Sequence, residues 1–365
     1  LPDGLRNPNG GMGVQCKNII AHLHDIHFDI VCNKAGEDFS GDNYESRSMN
    51  FLRPPVAHLD PWSENILTQT SLLSKAMGFP RPDLVHAFDW SSFTAGMYAA
   101  KYHEVPLVIT MQLSITQLIN DRIVPAEGPL TEITLALELQ GMLKADLIIQ
   151  VSEYYAKSWP SFSKKSVIIP NGVNVDEWKP SKKLNLGDNF NVVYIGRIDP
   201  MKGITSIMKE GVPEGCRLHV ISSSGGNASR LRDEVIKWAT REPRVSFVGP
   251  KYGQEKIDYL CAADAVLMPS MHEPFGIVGL EAMASRSILI SSLVGGIREY
   301  ADESVALAVN PREEGSIYRG IERARDLRED ERRRRLDIGI SRARSLDWKR
   351  ISPALRQAYN LALGR

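Results

Sequence analysis

The stretch HEPFGIVGLEAM, residues 272–283, holds a histidine, two carboxylates and two glycines where an apolar strand pattern gives way to a helical one. Glu273 lies in the connecting loop, and Glu281 lies one turn into the helix. The amides of Phe275, Gly276, Ile277 and Val278 sit at the helix start. Unpaired N–H groups and the positive end of the dipole there form a seat for an oxyanion or phosphate. A carboxylate beside such a seat repels phosphate but accepts hydrogen bonds from sugar or ribose hydroxyls. Each acid also has a plainer use, Glu281 in stabilising the helix dipole and Glu273 in capping. A second loop, GRIDPMKG (196–203), follows another apolar strand and carries Arg197 and Lys202 around a proline turn. Two cations there suit a diphosphate, the arginine as a fork and the lysine as a point charge. Either can instead be a surface residue paired with Asp199. A third loop, NGGMGVQ (9–15), offers Gly10, Gly11 and Gly13 before a helix, where a bare backbone can approach an anion closely or simply turn.

These loops need strand ends to carry them, and the chain supplies an alternation of strand and helix. Strands are expected at 28–32, 83–88, 106–110, 146–151 and 166–170 in the first half. In the second they fall at 191–196, 217–222, 244–249, 265–269, 288–292 and 305–309. Each is short, β-branched and apolar on both faces, as buried parallel strands are. PNGVNVDEW (170–178) interrupts the alternation, and KPSKKLNLGDN after it reads as a linker, so a domain boundary is expected here. A doubly wound domain normally opens on a strand. LPDGLRNPNGGMGVQ begins with loop, which suggests that an opening strand is absent from this chain.

A length of 365 residues fits about two to three domains. Lys plus Arg equals Asp plus Glu, 44 each, so nothing in the net charge favours nucleic acid as a partner. Cys16, Cys32, Cys216 and Cys261 form no C-x-x-C pair and read as thiols of a reducing compartment. No apolar run reaches the roughly 18 residues of a membrane span, and no signal peptide pattern opens the chain. On a helix His22 and His24 point to different faces, which argues against a metal site in HLHDIH (22–27), and there is no D-x-D triplet. The formal sequon at Asn227 reads as loop, and the arginine run 331–335 as a solvated helix face.

PNGVNVDEW, YIGRIDPMKG, PSMHEPFGIVGLEAMAS, VGGIREY and LDWKRISPALRQAYNLAL together resemble the retaining glycosyltransferases of the GT-B fold. The group in question is the large family that includes sucrose synthases and phosphatidylinositol mannosyltransferases. Glu273 and Glu281 match its E-x7-E signature. HAFDWSSFTAG (86–96) and GGMGV are similar to segments of glycogen and starch synthases. The resemblance implies an α/β fold of two Rossmann-like doubly wound domains facing a central cleft. Residues 1–170 would form the acceptor domain and 171–347 the donor domain, with 348–365 a helix crossing back to the first.

The implied activity is a metal-independent hexosyltransferase. It would move a hexose with retention from a nucleoside-diphosphate sugar, UDP-linked before ADP- or GDP-linked, to an acceptor hydroxyl. By the same resemblance Arg197 and Lys202 hold the diphosphate, Glu281 takes the ribose, and Glu273 contacts the transferred sugar. The amides of 275–278 seat sugar and phosphate, and Gly11 and Gly13 close over the phosphates. His86, Asp89 and Gln112 belong to the acceptor side, His86 with a catalytic part or a core one. Two positions depart from the pattern: Gln112 and Phe88 stand where many relatives carry histidine. Glucan elongation, a phosphorylase or epimerase, and a non-catalytic nucleotide-sugar binder stay as alternatives. The implied location is cytoplasmic, with peripheral contact at the inner face of a membrane left open.

Overall fold

The computed structural model describes residues 10–32, 39–48, 61–222 and 229–365. Residues 1–9, where the chain was read as beginning in loop without an opening strand, and the first two residues of the sequon lie outside them. The chain forms two compact units, one of Leu1–Asn171 with Trp348–Arg365 and one of Gly172–Asp347.

Among the described residues the first unit holds two sheets. β1 (Phe28–Cys32), β2 (Phe39–Gly41) and β3 (Tyr44–Ser48) lie in the order β1-β3-β2, with β3 parallel to β1 and antiparallel to β2. The β2–β3 hairpin was not anticipated, because its sequence is polar and lacks an apolar period. It is tied down through Asn43, whose side-chain amide donates to the carbonyls of Ile20, Leu23 and Ile26 at 3.1–3.3 Å. β4 (Val85–Phe88), β5 (Leu107–Met111), β6 (Leu147–Gln150) and β7 (Ser166–Ile168) form a parallel sheet in chain order. β5 and β6 are buried at every position, as apolar strands flanked on both sides must be. β1 and β7 are only partly buried, against expectation, because each is the last strand of its sheet.

Phe93 and Ala100 of the helix Trp90–His103 and Met142 of the helix Pro129–Lys144 pack with Ile109, Met111 and Ile148. The last helix, Trp348–Ala362, joins this unit: Trp348 is buried near the His22 ring, Arg356 pairs with Asp25, and Tyr359 meets His86.

The second unit is one parallel sheet of β8 (Phe190–Ile195), β9 (Cys216–Ile221), β10 (Val245–Phe247), β11 (Ala265–Met268), β12 (Ile288–Ser291) and β13 (Ala306–Ala308). Its order is β10-β9-β8-β11-β12-β13. The chain winds outward from β8 in one direction and from β11 in the other, so the switch point lies between these neighbours. Crevices that receive ligands open at the carboxyl ends of strands flanking such a point. Val192, Tyr194, Leu218, Val220, Leu267 and Ile290 build the core beneath it with Ile204, Ile207, Ile317 and Ile321. Where the chain enters and leaves this unit, Val173 donates to the Leu346 carbonyl at 3.0 Å and the Val175 amide donates to Asp347 Oδ2 at 3.0 Å.

Gly141 tests how tightly the helices of the first unit are packed. A Cβ there would lie 2.8 Å from Phe93 Cγ and 2.9 Å from its Cβ, and Phe93 has no exposed surface to swing into. Alanine gains about 1 kcal/mol of helix propensity, yet overpacking costs about 1–3 kcal/mol. Gly141→Ala is therefore expected to lower the denaturation midpoint, and a raised midpoint would show that the contact has slack.

Candidate functional site

The loops after β8 and β11 are locked together. Asp199 caps the turn Pro200–Lys202 by accepting from the Met201 amide at 2.9 Å. Met271 donates to the Met201 carbonyl at 2.7 Å. Gly203 has φ +76°, and a Cβ on it would stand 2.9 Å from the Pro269 carbonyl carbon and nearer still to the oxygen. Only glycine lets these loops approach so closely. Lys202 thereby reaches across, with Nζ 2.7 Å from Glu273 Oε2. Arg197 stays about half exposed, with its guanidinium 3.6 Å from Asp199 Oδ2. Its five donors have their anchorage in a backbone held from below, where the Tyr194 hydroxyl donates to the Arg197 carbonyl at 3.0 Å.

Glu273 is buried, and its Oε2 accepts from Lys202 and from Ser270 Oγ at 3.1 Å. Gly276 follows at φ +89° as the N-cap of the helix Ile277–Ala284 and supplies no side-chain cap. A Cβ on Gly276 would meet Ile297 Cγ1 at 2.6 Å, Tyr300 Oη at 2.9 Å and Glu273 Cγ at 3.0 Å. Tyr300 donates its hydroxyl to the Gly276 carbonyl. Gly296 donates to the Glu273 carbonyl at 3.0 Å. The segment VGGIREY thus buttresses the acidic loop from the far side. Glu281, also buried, pairs through Oε1 with Lys256 Nζ at 2.5 Å. Lys256 in turn lies 5.6 Å from the centre of the Trp178 ring.

Two phenols, Tyr194 and Tyr300, lie buried beside these loops. Burial pushes the Tyr194 hydroxyl far up, Asp199 and Glu273 add to the shift and Arg197 opposes it. Burial does the same to Tyr300, reinforced by Glu273 and Glu281. Glu273 acts on both rings. Lys202 and Glu273 are thus in contact at the switch point, Arg197 stands on the same loop as Lys202, and Phe275, Gly276, Ile277, Val278 and Glu281 follow Glu273 in the loop and helix start. Sequence reasoning missed Lys256, Ser270 and Tyr300. Lys256 sits on an ordinary amphipathic helix, and Tyr300 gave no signal beyond the glycines before it.

In the first unit a second group forms at the ends of β4 and β5. Asp89 is buried at φ +60°, and its Oδ1 accepts from the amides of Gln112 at 2.6 Å and Leu113 at 2.9 Å. The Gln112 side chain donates to Gln15 Oε1 and accepts from Asn171 Nδ2 at 3.4 Å. Gln15 belongs to the helix Gly11–His22, at whose start Gly11 is exposed and Gly13 buried. His86 has both ring nitrogens engaged, Nδ1 with Tyr359 Oη at 2.9 Å and Nε2 with Thr110 Oγ1 at 2.7 Å. It stacks on Phe88 at 4.1 Å, and burial lowers its pKa to about 3. A neutral ring clamped between helix and sheet anchors the last helix. Among the described residues no three His, Cys, Asp or Glu side chains gather as metal ligands, and no helix is long and apolar enough to cross a membrane.

Two family models match the chain, glycosyl transferases group 1 over residues 175–339 and glycosyltransferase family 4 over residues 9–177. A D-inositol 3-phosphate glycosyltransferase of Xylanimonas cellulosilytica is 26% identical over 293 residues, 74% of this chain and 70% of that protein. Other curated relatives are spanned over only 44% and 59% of their length. Sucrose-phosphate synthase of Thermosynechococcus elongatus superposes with a TM-score of 0.82 at 23% identity, covering 97% of this chain and 94% of that one. Anabaena HepE in complex with UDP and glucose gives 0.76 at 18% identity, covering 97% of each chain. These likenesses show the fold.

The buttress of the acidic loop can be probed at Gly296, where a Cβ would lie 2.9 Å from the Pro274 carbonyl carbon and 3.0 Å from Phe275 Cα. Both are backbone atoms, so the loop itself must move. Gly296→Ala should destabilise the protein by about 1–3 kcal/mol in denaturant titration. An unchanged midpoint would mean that the loop does not rest on residue 296.

Proposed function

We propose that this chain, whose halves match the models of glycosyl transferases group 1 and glycosyltransferase family 4, is a GT-B glycosyltransferase that moves a hexose from a nucleoside-diphosphate sugar to an acceptor hydroxyl with retention and without a metal. The observation that carries this reading is the Lys202–Glu273 pair at the switch point, with Arg197 half exposed beside it. A lysine ammonium has three donors. It can hold Glu273 with one and offer the others to a diphosphate, while the guanidinium grips the same group as a fork. The amides of Phe275, Gly276, Ile277 and Val278 complete the seat.

With Lys202 screening its charge, Glu273 presents acceptor oxygens to the hydroxyls of the transferred sugar. Glu281, oriented by Lys256, receives the ribose hydroxyls. As the bond from the anomeric carbon to the phosphate oxygen breaks, negative charge grows on the diphosphate and positive charge on the sugar ring. Preorganised cations at the growing anion supply the largest part of such catalysis. The acceptor oxygen attacks the same face, and its proton passes to the departing phosphate oxygen.

UDP is the favoured carrier, a choice supported by the UDP and glucose bound in the HepE structure. Residues 171–347 are assigned to the donor and 1–170 to the acceptor, with Gln112 and Asp89 on the acceptor side. His86 is assigned to anchoring the last helix, since neither ring nitrogen is spare. The absence of a C-x-x-C pair among the widely spaced cysteines supports a reducing, cytoplasmic setting.

Arg197→Ala and Lys202→Ala are each expected to lower turnover of saturating radiolabelled UDP-glucose by about 10²–10³-fold. Wild-type turnover in both would remove the diphosphate assignment. Thermal-shift measurements with UDP-, ADP- and GDP-sugars identify the carrier, because a ligand that binds the folded state raises its melting temperature.

A further inference from the structure

Glu138 is a carboxylate with no exposed surface that the proposed transfer does not use. It projects from the helix Pro129–Lys144 beneath residues 112–116, the segment that leaves β5 and starts the short helix Ile115–Asn120. Its Oε1 accepts from the Ile115 amide. Its Oε2 faces the Ser114 hydroxyl at 3.2 Å, the Thr116 hydroxyl at 3.3 Å and the Thr116 amide at 3.4 Å. Ser114 Oγ already accepts from the Gln117 amide at 3.3 Å and from Trp159 Nε1 at 3.5 Å, so its single proton points to Glu138. Each neighbour thus offers a hydrogen: the Ile115 and Thr116 amides can only donate, the Ser114 hydroxyl already accepts from two other donors, and the Thr116 hydroxyl adds a fourth, an arrangement that suits an anion. From the opposite side Asp89 takes the amides of Gln112 and Leu113. Two buried acids therefore hold the amides of residues 112, 113, 115 and 116, with the Gln112 side chain at the head of the segment.

We propose that Glu138 is a pH-responsive positioning residue: as an anion it fixes, with Asp89, the segment that aims Gln112, and on taking a proton it lets that segment loosen. The link to catalysis rests on the reading of Gln112 as an acceptor-side group. Burial pushes the Glu138 carboxyl up to about 7; the Ile115 and Thr116 amides and the Ser114 hydroxyl pull against this, and Asp89, the titratable group facing it, pushes the same way as burial. The two consequences of ionisation have opposite sign. A carboxyl raised in the folded state makes global stability fall as pH rises from the ordinary glutamate range to about 7. Order in residues 112–116 instead grows over that interval, because the anion accepts from all four of its donors.

The test is amide hydrogen exchange on the full-length protein, corrected for intrinsic rates, below and above the Glu138 transition. Protection at Leu113, Ile115 and Thr116 is expected to rise about tenfold as the carboxyl ionises. Glu138→Gln, neutral at every pH, should lack the rise, and Thr116→Val should move its midpoint upward by removing a donor to the anion. Turnover of radiolabelled UDP-glucose should climb over the same interval in the wild type and stay flat in Glu138→Gln. Flat wild-type protection, or a rise retained by Glu138→Gln, would overturn the proposal. Should Glu138→Gln not fold, an unmoved midpoint in Thr116→Val would overturn it equally. A protection step in a protein that turns over no nucleotide sugar would support the brace and sink the transfer reading instead.

Discussion

Lys202 meets Glu273 only because two backbones nearly touch. The carbonyl of Pro269 occupies the space that a side chain on residue 203 would need, and the Met201 carbonyl takes the Met271 amide. Parallel strands β8 and β11 are neighbours with their carboxyl ends level, so the loops that leave them must pass within a few ångströms of each other. Glycine removes the steric bar, and the backbone bond fixes the distance. The ion pair follows from that close approach.

Burying acids at such a place carries an electrostatic cost that the structure offsets group by group. Glu273 has Lys202 and Ser270, and Glu281 has Lys256. An unpaired buried carboxylate would be strongly destabilising, whereas a paired and hydrogen-bonded one is tolerated. The phenols of Tyr194 and Tyr300 serve as neutral donors that carry no charge into the cluster, one supporting the Arg197 carbonyl and the other the Gly276 carbonyl. Arg197, half exposed and 3.6 Å from Asp199, keeps a loosely held charge facing solvent. That division between closely paired internal charges and a loosely paired, exposed cation suits a site that receives an anion.

The first unit solves a related problem differently. Gln112 follows a fully buried strand, and its direction depends on the backbone that leaves the strand. Asp89 adopts a left-handed backbone that few non-glycine residues occupy, and its carboxylate holds two of the amides concerned. His86, by contrast, has its nitrogens committed to Thr110 and Tyr359, which makes it part of the attachment of the last helix.

Much of this was written locally. Short β-branched runs fixed eleven strands, because a strand buried on both faces must be apolar throughout. Glycines and acids at strand ends marked the loops, because only certain residues fit those backbones. The β2–β3 hairpin carried no such mark: its polar strands depend on β1 and on Asn43 reaching the end of a distant helix. Nor did sequence show that Glu281 belongs with Lys256, that Tyr300 supports Gly276, or that His86 is clamped by Tyr359 from 273 residues away. Spacing along the chain records periodicity and turn chemistry, which are properties of neighbours. Which cation meets which acid is set by strand order, and strand order exists only once the sheet has closed.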